Sequence, residues 1–547
     1  MPTATFNRKV FETLAGTKLP DEELKDRISY LGTDLESITA DEITVEIFPN
    51  RPDLLSVQGF ARAFATFIGK QTGLKKYAIQ KSGHRVIIEP SVEDVRPFTA
   101  CAIVKGIPFD DERIKEIIQI QEKLHITYGR NRRKCAIGIY PFEKITPPIR
   151  FLAKEPDEII FQPLEFRKEI TARQILSMHP AGRTYGHLLE GLARYPIFVD
   201  SKDNILSMPP IINSHAVGKI TEETRDVFIE CSGFDYSVQS TCLNMIVTAL
   251  ADMGGKIYSM ELAYGKKKII SPDLSPMKMH ISPEYISKRL GFPLSEKKIA
   301  ALLARMGHGY ADGHALVPAY RSDVLHQIDL AEDIAIAYGY ENIKEEVPKV
   351  ATIGSEDTLE SFKRKIGGIL SGIGILECKH YHLTSKENQV SKMNASMPVI
   401  TLANSVNAEY NVLSAWNTPF LLDVLERNRH REYPQRIFSI GTVFSKGDSE
   451  TGVLEQERLA CLLCAEDADY TRIRQILDYL FRMIDIPYKV EATTHPSFIP
   501  GRVGRGIAKG KKIAYLGEIS PDVLEKFGLT MPVCAFELNL TELHNIM

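Results

Sequence analysis

The sequence has few of the features that mark membrane-embedded or secreted proteins. Its 547 residues contain no apolar run near the length of about 20 that a membrane span needs. The N-terminal segment MPTATFNRKV lacks the apolar core of a secretory signal. Eight cysteines are too few for a disulfide framework and suit a reducing compartment. These absences predict a soluble protein of the cytoplasm.

An excess of charge of either sign is also missing. The chain has 67 Lys and Arg against 70 Asp and Glu, a formal net charge of −3, which argues against a general polyanion binder but permits local basic patches. The one close cysteine pair, Cys461 and Cys464, has no second pair to complete a tetrahedral zinc site. We therefore predict that both are core residues of a strand.

Turn clusters and changes of pattern divide the chain into four predicted segments, residues 1–85, 86–270, 271–349 and 350–547. In the first segment, Asp53 is expected to cap a helix whose apolar residues recur at helical spacing. The last segment alternates strands and helices, and glycines lie near its strands as in hairpins. That pattern favours an antiparallel α+β sheet over a doubly wound one.

The most concentrated signal is a group of carboxylates on a helix predicted from about Val324 to Tyr338. The pattern is D-x5-D-x2-E-D, and its residues are Asp323, Asp329, Glu332 and Asp333. Carboxylates at this spacing repel one another unless a cation offsets them, and oxygen ligands suit Mg²⁺. A solvated acidic face is an equally good interpretation from the residues alone. The opposite face, with Leu325, Ile328 and Ala335, is expected to be core.

Two basic clusters are candidates for contacts with nucleic acid. The first, YGRNRRKCAIGIY, contains Arg130, Arg132 and Arg133. Clustered guanidinium groups suit phosphates, and a nearby tyrosine can stack on an unpaired base. A solvated loop before a strand is at least as good an interpretation. The same ambiguity applies to the second cluster, which contains Arg427, Arg429, Arg431 and Arg436.

Two further segments combine turns with polar side chains. The segment from SMPPIINS to TRDVFIE places four polar residues that could line a small pocket, although capping and turn formation are the better explanation from the residues alone: Ser207, Ser214, Thr224 and Glu230. The segment GRVGRGIAKG carries Arg502 and Arg505 among glycines. It lacks the Lys-Ser or Lys-Thr pair of a P-loop, so we predict glycine turns that flank strands.

Four motifs in this order carry a resemblance to a known family. They are EIFPNRPDLLSVQGFAR, YGRNRRKCAIGIY, SMPPIINS with KITEETRDVFIE, and YRSDVLHQIDLAEDIAIAYGYENI. The chain resembles the β chain of phenylalanyl-tRNA synthetase in its short archaeal and eukaryotic form. The resemblance implies an α+β multidomain fold. Its parts are an N-terminal domain, an α/β editing domain, a small helical DNA-binding-like domain, and a C-terminal class II synthetase-like domain with an antiparallel sheet.

The resemblance also implies a function and its partners. The family attaches phenylalanine to its tRNA with ATP, as a tetramer of two α and two β chains, and the aminoacylation site lies on the α chain. No catalytic residue is then expected in the synthetase-like domain here, where RIFSIGTVF keeps Arg436 but has Ser439 where an acidic partner could stand. The β chain would supply assembly and tRNA contacts.

Site residues follow from the same resemblance. Mg²⁺, shared with the α chain, is expected on Asp323, Asp329, Glu332 and Asp333, and the tRNA contacts on the basic loop 130–133. A pocket that hydrolyses tyrosine wrongly attached to the tRNA is expected around Phe198, Ser207 and Glu230, with Phe198 as an apolar wall. Two alternatives are a tRNA-binding scaffold without enzymatic activity and a hydrolase that uses the four carboxylates directly. The second ranks last, because no histidine or nucleophile motif accompanies the carboxylates.

Overall fold

A computed structural model of the chain describes residues 2–347, 350 and 352–547. The chain divides between residues 347 and 348 into two compact units. Helices and strands follow one another throughout, so the predicted mixture of α and β structure is confirmed. None of the helices in the described residues is long and apolar enough to cross a membrane.

The first unit contains long helices and many short strands. Its helices are α1 (Arg8–Ala15), α2 (Asp21–Tyr30), α3 (Val57–Phe67), α4 (Asp111–Ile126), α5 (Ala172–Met178), α6 (Pro180–Tyr185), α7 (Tyr236–Asp252), α8 (Pro283–Leu290), α9 (Glu296–Arg305) and α10 (Gln327–Tyr338). Its strands are β1 (Thr3–Asn7), β2 (Asp34–Ile38), β3 (Glu42–Glu46), β4 (Ile79–Ile88), β5 (Phe98–Lys105), β6 (Cys135–Pro141), β7 (Ile149–Lys154), β8 (Ile160–Phe161), β9 (Ile170–Thr171), β10 (Tyr195–Val199), β11 (Ile205–Met208), β12 (Ile212–Asn213), β13 (Val227–Gly233), β14 (Lys256–Tyr264), β15 (Lys267–Ser271), β16 (Met277–His280), β17 (Gly309–Ala311) and β18 (His314–Val317).

The second unit has fewer, longer strands. Its helices are α11 (Thr358–Gly372), α12 (Thr418–Arg427), α13 (Tyr470–Met483), α14 (Pro521–Lys526) and α15 (Leu540–Asn545). Its strands are β19 (Leu376–Glu377), β20 (Leu383–Thr384), β21 (Val412–Leu413), β22 (Gln435–Lys446), β23 (Val453–Cys464), β24 (Lys489–Ala492), β25 (Phe498–Ala508), β26 (Lys511–Ile519) and β27 (Val533–Asn539).

A large sheet forms the centre of the first unit. Its strand order is β12-β11-β10-β7-β4-β14-β5-β13-β6, and β15 pairs with β14. Neighbouring strands are antiparallel except for β14 with β4 and β4 with β7. Strand β13 is buried along its whole length, since β5 and β6 pair with its two edges and helix α7 packs against it. This position allows β13 to carry a polar side chain away from bulk solvent.

The sheet of the second unit has a hydrophobic core on each face. Its order is β19-β22-β23-β27-β26-β25-β24, and its strands are antiparallel except for β19 with β22. Cys461 and Cys464 lie on β23 and belong to the two different cores. Both thiols are fully buried, which confirms the prediction that they are core residues of a strand.

The glycines between residues 501 and 506 do not form the predicted turns, because Gly501, Gly504 and Gly506 lie within β25. A Cβ atom at Gly504 would lie 2.4 Å from the Val490 side chain on the neighbouring strand. Glycine is therefore required there for close packing of strand against strand. Arg502 and Arg505 are strand residues as a consequence.

Helix α3 begins with a different cap from the one predicted. The Ser56 hydroxyl accepts a hydrogen bond from the Gly59 amide at 3.0 Å, and Ser56 is the N-cap residue. Asp53 is buried and forms two hydrogen bonds with Arg51 instead. The prediction that Asp53 caps this helix was wrong, because a buried carboxylate next to a buried guanidinium is better satisfied by the ion pair.

Asp53 and Arg51 belong to a set of buried charges that we call the buried charge network. Three segments of the first unit contribute to it. Its ion pairs are Arg51–Asp53 at 2.8 Å, Arg62–Asp252 at 2.6 Å, Arg321–Asp323 at 2.6 Å and Arg321–Asp333 at 2.8 Å, and Asp333 also forms a hydrogen bond with His308 Nε2 at 2.7 Å. Burial acts to raise the pKa of Asp333, but Arg321 and His308 outweigh it and hold that pKa below its usual range.

Helix α10 begins three residues later than predicted. The Asp329 carboxylate accepts from the amides of Leu325 and His326 at 2.8 Å, and this capping starts the helix at Gln327. Leu325 therefore precedes the helix and is 82% exposed, and Ile328 in the first turn is 41% exposed. The prediction that these two residues are core was wrong, whereas Ala335 is buried as predicted.

Phe198 is a core residue of the large sheet. Its ring is fully buried and stacks on Phe151 with centroids 4.3 Å apart. The two residues are directly opposite on β10 and β7. Both rings belong to one cluster of buried hydrophobic residues in the first unit.

Replacing Phe198 by alanine tests this placement. We expect Phe198→Ala to lower the free energy of unfolding by about 3–5 kcal/mol, because it removes a packed aromatic ring and leaves a cavity. The matched control, Phe234→Ala, removes a ring that is 56% exposed and should cost about 1 kcal/mol or less. Urea denaturation of the full chain measures both. Equal losses in the two variants would contradict the core assignment.

Candidate functional site

A cavity of about 480 Å³ lies in the first unit between helix α4 and the large sheet. Its walls combine apolar side chains with a few polar groups, as in binding sites for small organic molecules. The apolar residues come from the helix, from the sheet and from the loop after β12: Ile114, Ile117, Ile118, Ile137, Ile139, Ile211, Ile212 and Ile220. Two of the predicted pocket residues, Ser207 and Glu230, line it.

Glu230 lies on β13 and carries a buried carboxyl group to the cavity. The Tyr140 hydroxyl donates to its Oε1 at 3.1 Å, and Oε2 has no partner of hydrogen-bond geometry among the described residues. Burial raises the pKa of Glu230 to about 8, although Arg96 and the bond from Tyr140 act to lower it. At neutral pH the group is therefore mostly a neutral acid that can both donate and accept a hydrogen bond.

The sheet makes room for this carboxyl group with a glycine. Gly138 lies directly opposite Glu230 on β6. A Cβ atom at that position would lie 1.9 Å from the Tyr140 hydroxyl and 2.6 Å from Glu230 Oε1. The absence of a side chain at residue 138 thus allows the Tyr140–Glu230 pair to form.

Ser207 brings a hydroxyl to the same cavity from β11. The residue is buried, and its Oγ approaches Tyr140 but has no partner of hydrogen-bond geometry in the described part of the chain. An unpaired buried hydroxyl is unfavourable unless a bound molecule or water satisfies it. Ser207 and Glu230 together offer two buried polar groups to a cavity whose lining also includes apolar side chains from α4 and the sheet.

The other residues predicted for this pocket lie elsewhere. Phe198 pairs with Ser207 across β10 and β11, but its ring is committed to the stack on Phe151, and it is not among the described residues that line the cavity. The same holds for Ser214 and Thr224. The cavity thus contains two of the polar residues proposed for the pocket, and its apolar wall is formed by residues other than Phe198.

The predicted basic loop is split between the cavity and the surface. Arg130 and Arg133 are exposed. Arg132 turns inward and lines the cavity, where its NH1 donates to the Ile211 carbonyl at 2.9 Å and its NH2 pairs with Glu122 at 3.2 Å. Arg132 thus holds the turn after β11 against α4, a role that does not leave its guanidinium available at the surface.

His125 also lines the cavity, and nothing in the sequence pattern distinguished it from an ordinary helix residue. Its Nε2 accepts from the Ile137 amide at 2.8 Å, so the ring proton is on Nδ1, which lies 3.6 Å from Glu122. Burial lowers the pKa of His125. The neutral ring therefore positions α4 against β6 and presents one N–H to its surroundings.

The four predicted metal-ligating carboxylates lie in different environments. Asp323 and Asp333 are partners of Arg321 in the buried charge network, Asp329 is half-buried at the start of α10, and Glu332 is exposed. These oxygens suit a hard cation, and carboxylate oxygens that accept from arginine retain further lone pairs. Asp329 and Glu332 are the members of the set that reach the surface.

Three thiols form a cluster that the sequence did not predict. The Sγ atoms of Cys135, Cys231 and Cys242 lie within 4.8 Å of one another, and all three residues are buried. Within the described residues, this is the one group of three or more His, Cys, Asp or Glu side chains whose ligand atoms all lie within 4.8 Å of one another. The cysteines come from β6, β13 and α7, which are far apart in sequence and carry no metal-ligand spacing.

Comparison with known proteins decides the family. The model for the "Phenylalanyl tRNA synthetase beta chain CLM domain" matches residues 343–540, and the "tRNA synthetase B5 domain" model matches residues 279–340. The phenylalanine–tRNA ligase β subunits of Pyrococcus abyssi and Pyrococcus furiosus are each 40% identical to this chain over the whole of both chains. The chain belongs to the phenylalanine–tRNA ligase β-subunit family.

A solved structure is similar to part of this chain. It is an N-terminal fragment of the phenylalanyl-tRNA synthetase β subunit from Pyrococcus horikoshii, with 38% identity and a TM-score of 0.60. The match covers 62% of this chain and 100% of the fragment. The residues that match the B5 model include helix α10 and its carboxylates. The residues that match the CLM model include the antiparallel sheet of the second unit.

The buried acid of the cavity gives a pH-dependent prediction. Glu230 has a pKa of about 8 in the folded chain, against about 4.3 for an unfolded glutamate. Its protonated form therefore contributes stability that is complete below about pH 4 and lost as the pH rises through about 8. We expect Glu230→Gln, which cannot ionise, to gain stability relative to the unsubstituted chain between pH 5 and 9.

Urea denaturation at a series of pH values measures this difference. Glu223→Gln is the matched control, because Glu223 is exposed and its substitution should leave the pH profile unchanged. A constant difference between Glu230→Gln and the unsubstituted chain across this range would show that Glu230 is ionised when folded.

Proposed function

We propose that this chain is the β subunit of a phenylalanine–tRNA ligase, which attaches phenylalanine to its tRNA with ATP in a cytoplasmic tetramer of two α and two β chains. The observation that carries the proposal is the identity of 40% over the full length to β subunits of that enzyme. We place the aminoacylation site on the α subunit. In the present chain Arg436 is exposed and Ser439 is fully buried, so this strand offers no paired cationic clamp for ATP.

The domains of this proposal are those inferred from the sequence. Residues 1–85 form the N-terminal domain, 86–270 the editing domain, 271–349 the helical domain with the carboxylates, and 350–547 the synthetase-like domain. The exposed Leu325 and Ile328 beside Asp329 and Glu332 support a role for the start of α10 in contact with another chain. Arg130 and Arg133, which are exposed, are the proposed tRNA contacts of the basic loop.

The cavity supports an editing role for the first unit. Tyrosine differs from phenylalanine by one hydroxyl, and an apolar pocket rejects an added hydroxyl only about 100-fold. A second pocket that binds the hydroxyl can remove the error. Glu230 and Ser207 offer a hydrogen-bond donor and acceptors inside apolar walls, and phenylalanine in the same place would leave them unpaired. No general base is assigned here.

The alternative of a scaffold without enzymatic activity is tested by charging assays. The full chain alone should not charge tRNA with phenylalanine, whereas the complex co-expressed with an α subunit should. Incorporation of labelled phenylalanine into tRNA measures both preparations. Charging by the isolated chain would contradict the placement of the active site on the α subunit, and a complex that forms but does not charge would favour the scaffold.

The editing proposal is tested by release of tyrosine from tyrosyl-tRNA. In the complex, Glu230→Ala should slow this hydrolysis about 10- to 100-fold, because it removes a buried hydrogen bond to the tyrosine hydroxyl. Glu223→Gln in the same domain is the matched control and should hydrolyse at the original rate. Unchanged hydrolysis in Glu230→Ala, in a complex that still charges phenylalanine, would remove Glu230 from the editing site.

We also propose that Asp323, Asp329, Glu332 and Asp333 hold Mg²⁺ together with groups of the α subunit. Bound there, the ion supplies charge neutralisation between the two chains. Glu332→Gln should raise the Mg²⁺ concentration that the complex needs to stay assembled by about tenfold or more. Sedimentation velocity measures that concentration, with Glu345→Gln as the exposed control beyond the helix. An unchanged Mg²⁺ requirement would exclude Glu332 from the site.

A further inference from the structure

A second cavity, of about 290 Å³, lies wholly within the second unit, on one face of its antiparallel sheet. Aromatic rings form much of its lining. His495 is at their centre, with its ring centroid 5.6 Å from that of Trp416 and 4.9 Å from that of Tyr515. The Trp416 indole is fixed in place because its N–H donates to the Gln389 carbonyl at 3.1 Å. This wall is therefore pre-formed for contact with a planar ring.

Two arginines line the same cavity. The Arg505 guanidinium lies 3.8 Å from the centroid of the Tyr515 ring and donates through NH2 to the Lys512 carbonyl at 3.0 Å. Arg458 lies 3.5 Å from Glu537 through NH1. The Nε atoms of both arginines are buried and have no hydrogen-bond partner among the described residues.

Strand register explains why these groups face one cavity. Tyr515 on β26 is directly opposite Arg505 on β25 and Glu537 on β27, so the three side chains lie in one row on one face of the sheet. Arg458 on β23 is opposite Asn539, two residues beyond Glu537 on β27, and shares that face. The convergence is thus set by the sheet and does not depend on a loop.

The side chains that line the cavity carry more positive than negative charge. Arg458, Arg505 and Lys512 line it, and Glu537 is the one carboxylate among its described lining residues. Glu537 already accepts from the Asn417 and Thr418 amides and from the Thr418 hydroxyl at 2.6 Å. Burial, together with the charge of Arg458, lowers the pKa of Arg505, and burial lowers that of His495. A negative charge placed here would be stabilised.

We propose that this cavity binds a small molecule in which an aromatic ring carries one anionic group. The ring would lie against Trp416 and His495, and the anion would accept from the guanidinium groups of Arg458 and Arg505, which line the cavity. Carboxylates and phosphates share this chemistry. We assign binding of this molecule to the site, and no reaction. The site is separate from the cavity that contains Glu230, so the proposal does not depend on the editing role.

Trp416 reports on this cavity directly, because it is the single tryptophan of the chain and lines the site. Its emission is followed while the full chain, without an α subunit, is titrated with phenylacetate, adenosine monophosphate, inorganic phosphate and uncharged benzyl alcohol. Equilibrium dialysis with labelled phenylacetate and labelled adenosine monophosphate measures the same binding independently. We expect saturable binding of at least one aromatic anion, and weaker binding of phosphate and benzyl alcohol.

Two arginine substitutions on β25 form a matched pair. Arg505→Gln should weaken binding about tenfold or more, because it removes a charged donor to the anion. Arg502→Gln should not change it, since Arg502 is on the same strand but pairs with Glu518 outside the cavity. If Arg505→Gln does not fold, Arg505→Lys, which keeps the charge but loses the planar guanidinium and its paired donors, takes its place and should also weaken binding.

The outcomes separate the parts of the proposal. Binding of phenylacetate alone identifies a carboxylate ligand, and binding of adenosine monophosphate alone identifies a phosphate ligand. Phosphate that binds as tightly as either aromatic anion would overturn the role of the ring. The proposal as a whole is overturned if neither aromatic anion binds at millimolar concentration, or if the Arg502 and Arg505 substitutions have equal effects.

Discussion

The buried charge network is the constraint on which the first unit depends. A buried ion left without its partner costs several kcal/mol. The charge of Arg321 acts on Arg51 and Asp53 as well as on its own partners, so the pairs depend on one another electrostatically. Arg51 and Asp53 precede α3, Asp252 ends α7, and Arg321 joins the strands of the helical segment to α10. Segments assigned to three domains in the sequence therefore form one compact unit, in which two of the four predicted metal ligands already neutralise an arginine.

Two buried acids of the first unit show opposite solutions to the same physical problem. Asp333 keeps its charge because Arg321 and His308 contact it. Glu230 has no ion pair within the described residues, and burial keeps it mostly protonated at neutral pH. The first arrangement stabilises the fold. The second leaves a polar group ready for a ligand, and it is the arrangement found in the cavity that we assign to editing.

The sequence predicted features that depend on local pattern and missed those that depend on distant contacts. Helical spacing located the helix after Asp53, and apolar neighbours identified Cys461 and Cys464 as core. Of the four residues proposed for a small pocket, Ser207 and Glu230 line one cavity. Phe198 and Leu325 were misplaced because the partner of one is on another strand and the exposure of the other depends on where α10 begins. The inward turn of Arg132 likewise depends on carbonyl groups about 80 residues away, at Pro210 and Ile211.

Hydrogen exchange on an Arg321→Met variant would test most directly whether the buried charge network unites the first unit. We expect amides around α3, in the last turns of α7 and in α10 to lose protection together, although the ion pairs of Arg321 within the described residues are with Asp323 and Asp333. Arg27→Met, which removes a partly exposed pair with Glu341, should change only amides near residues 27 and 341. Loss of protection confined to α10 in Arg321→Met would contradict the account.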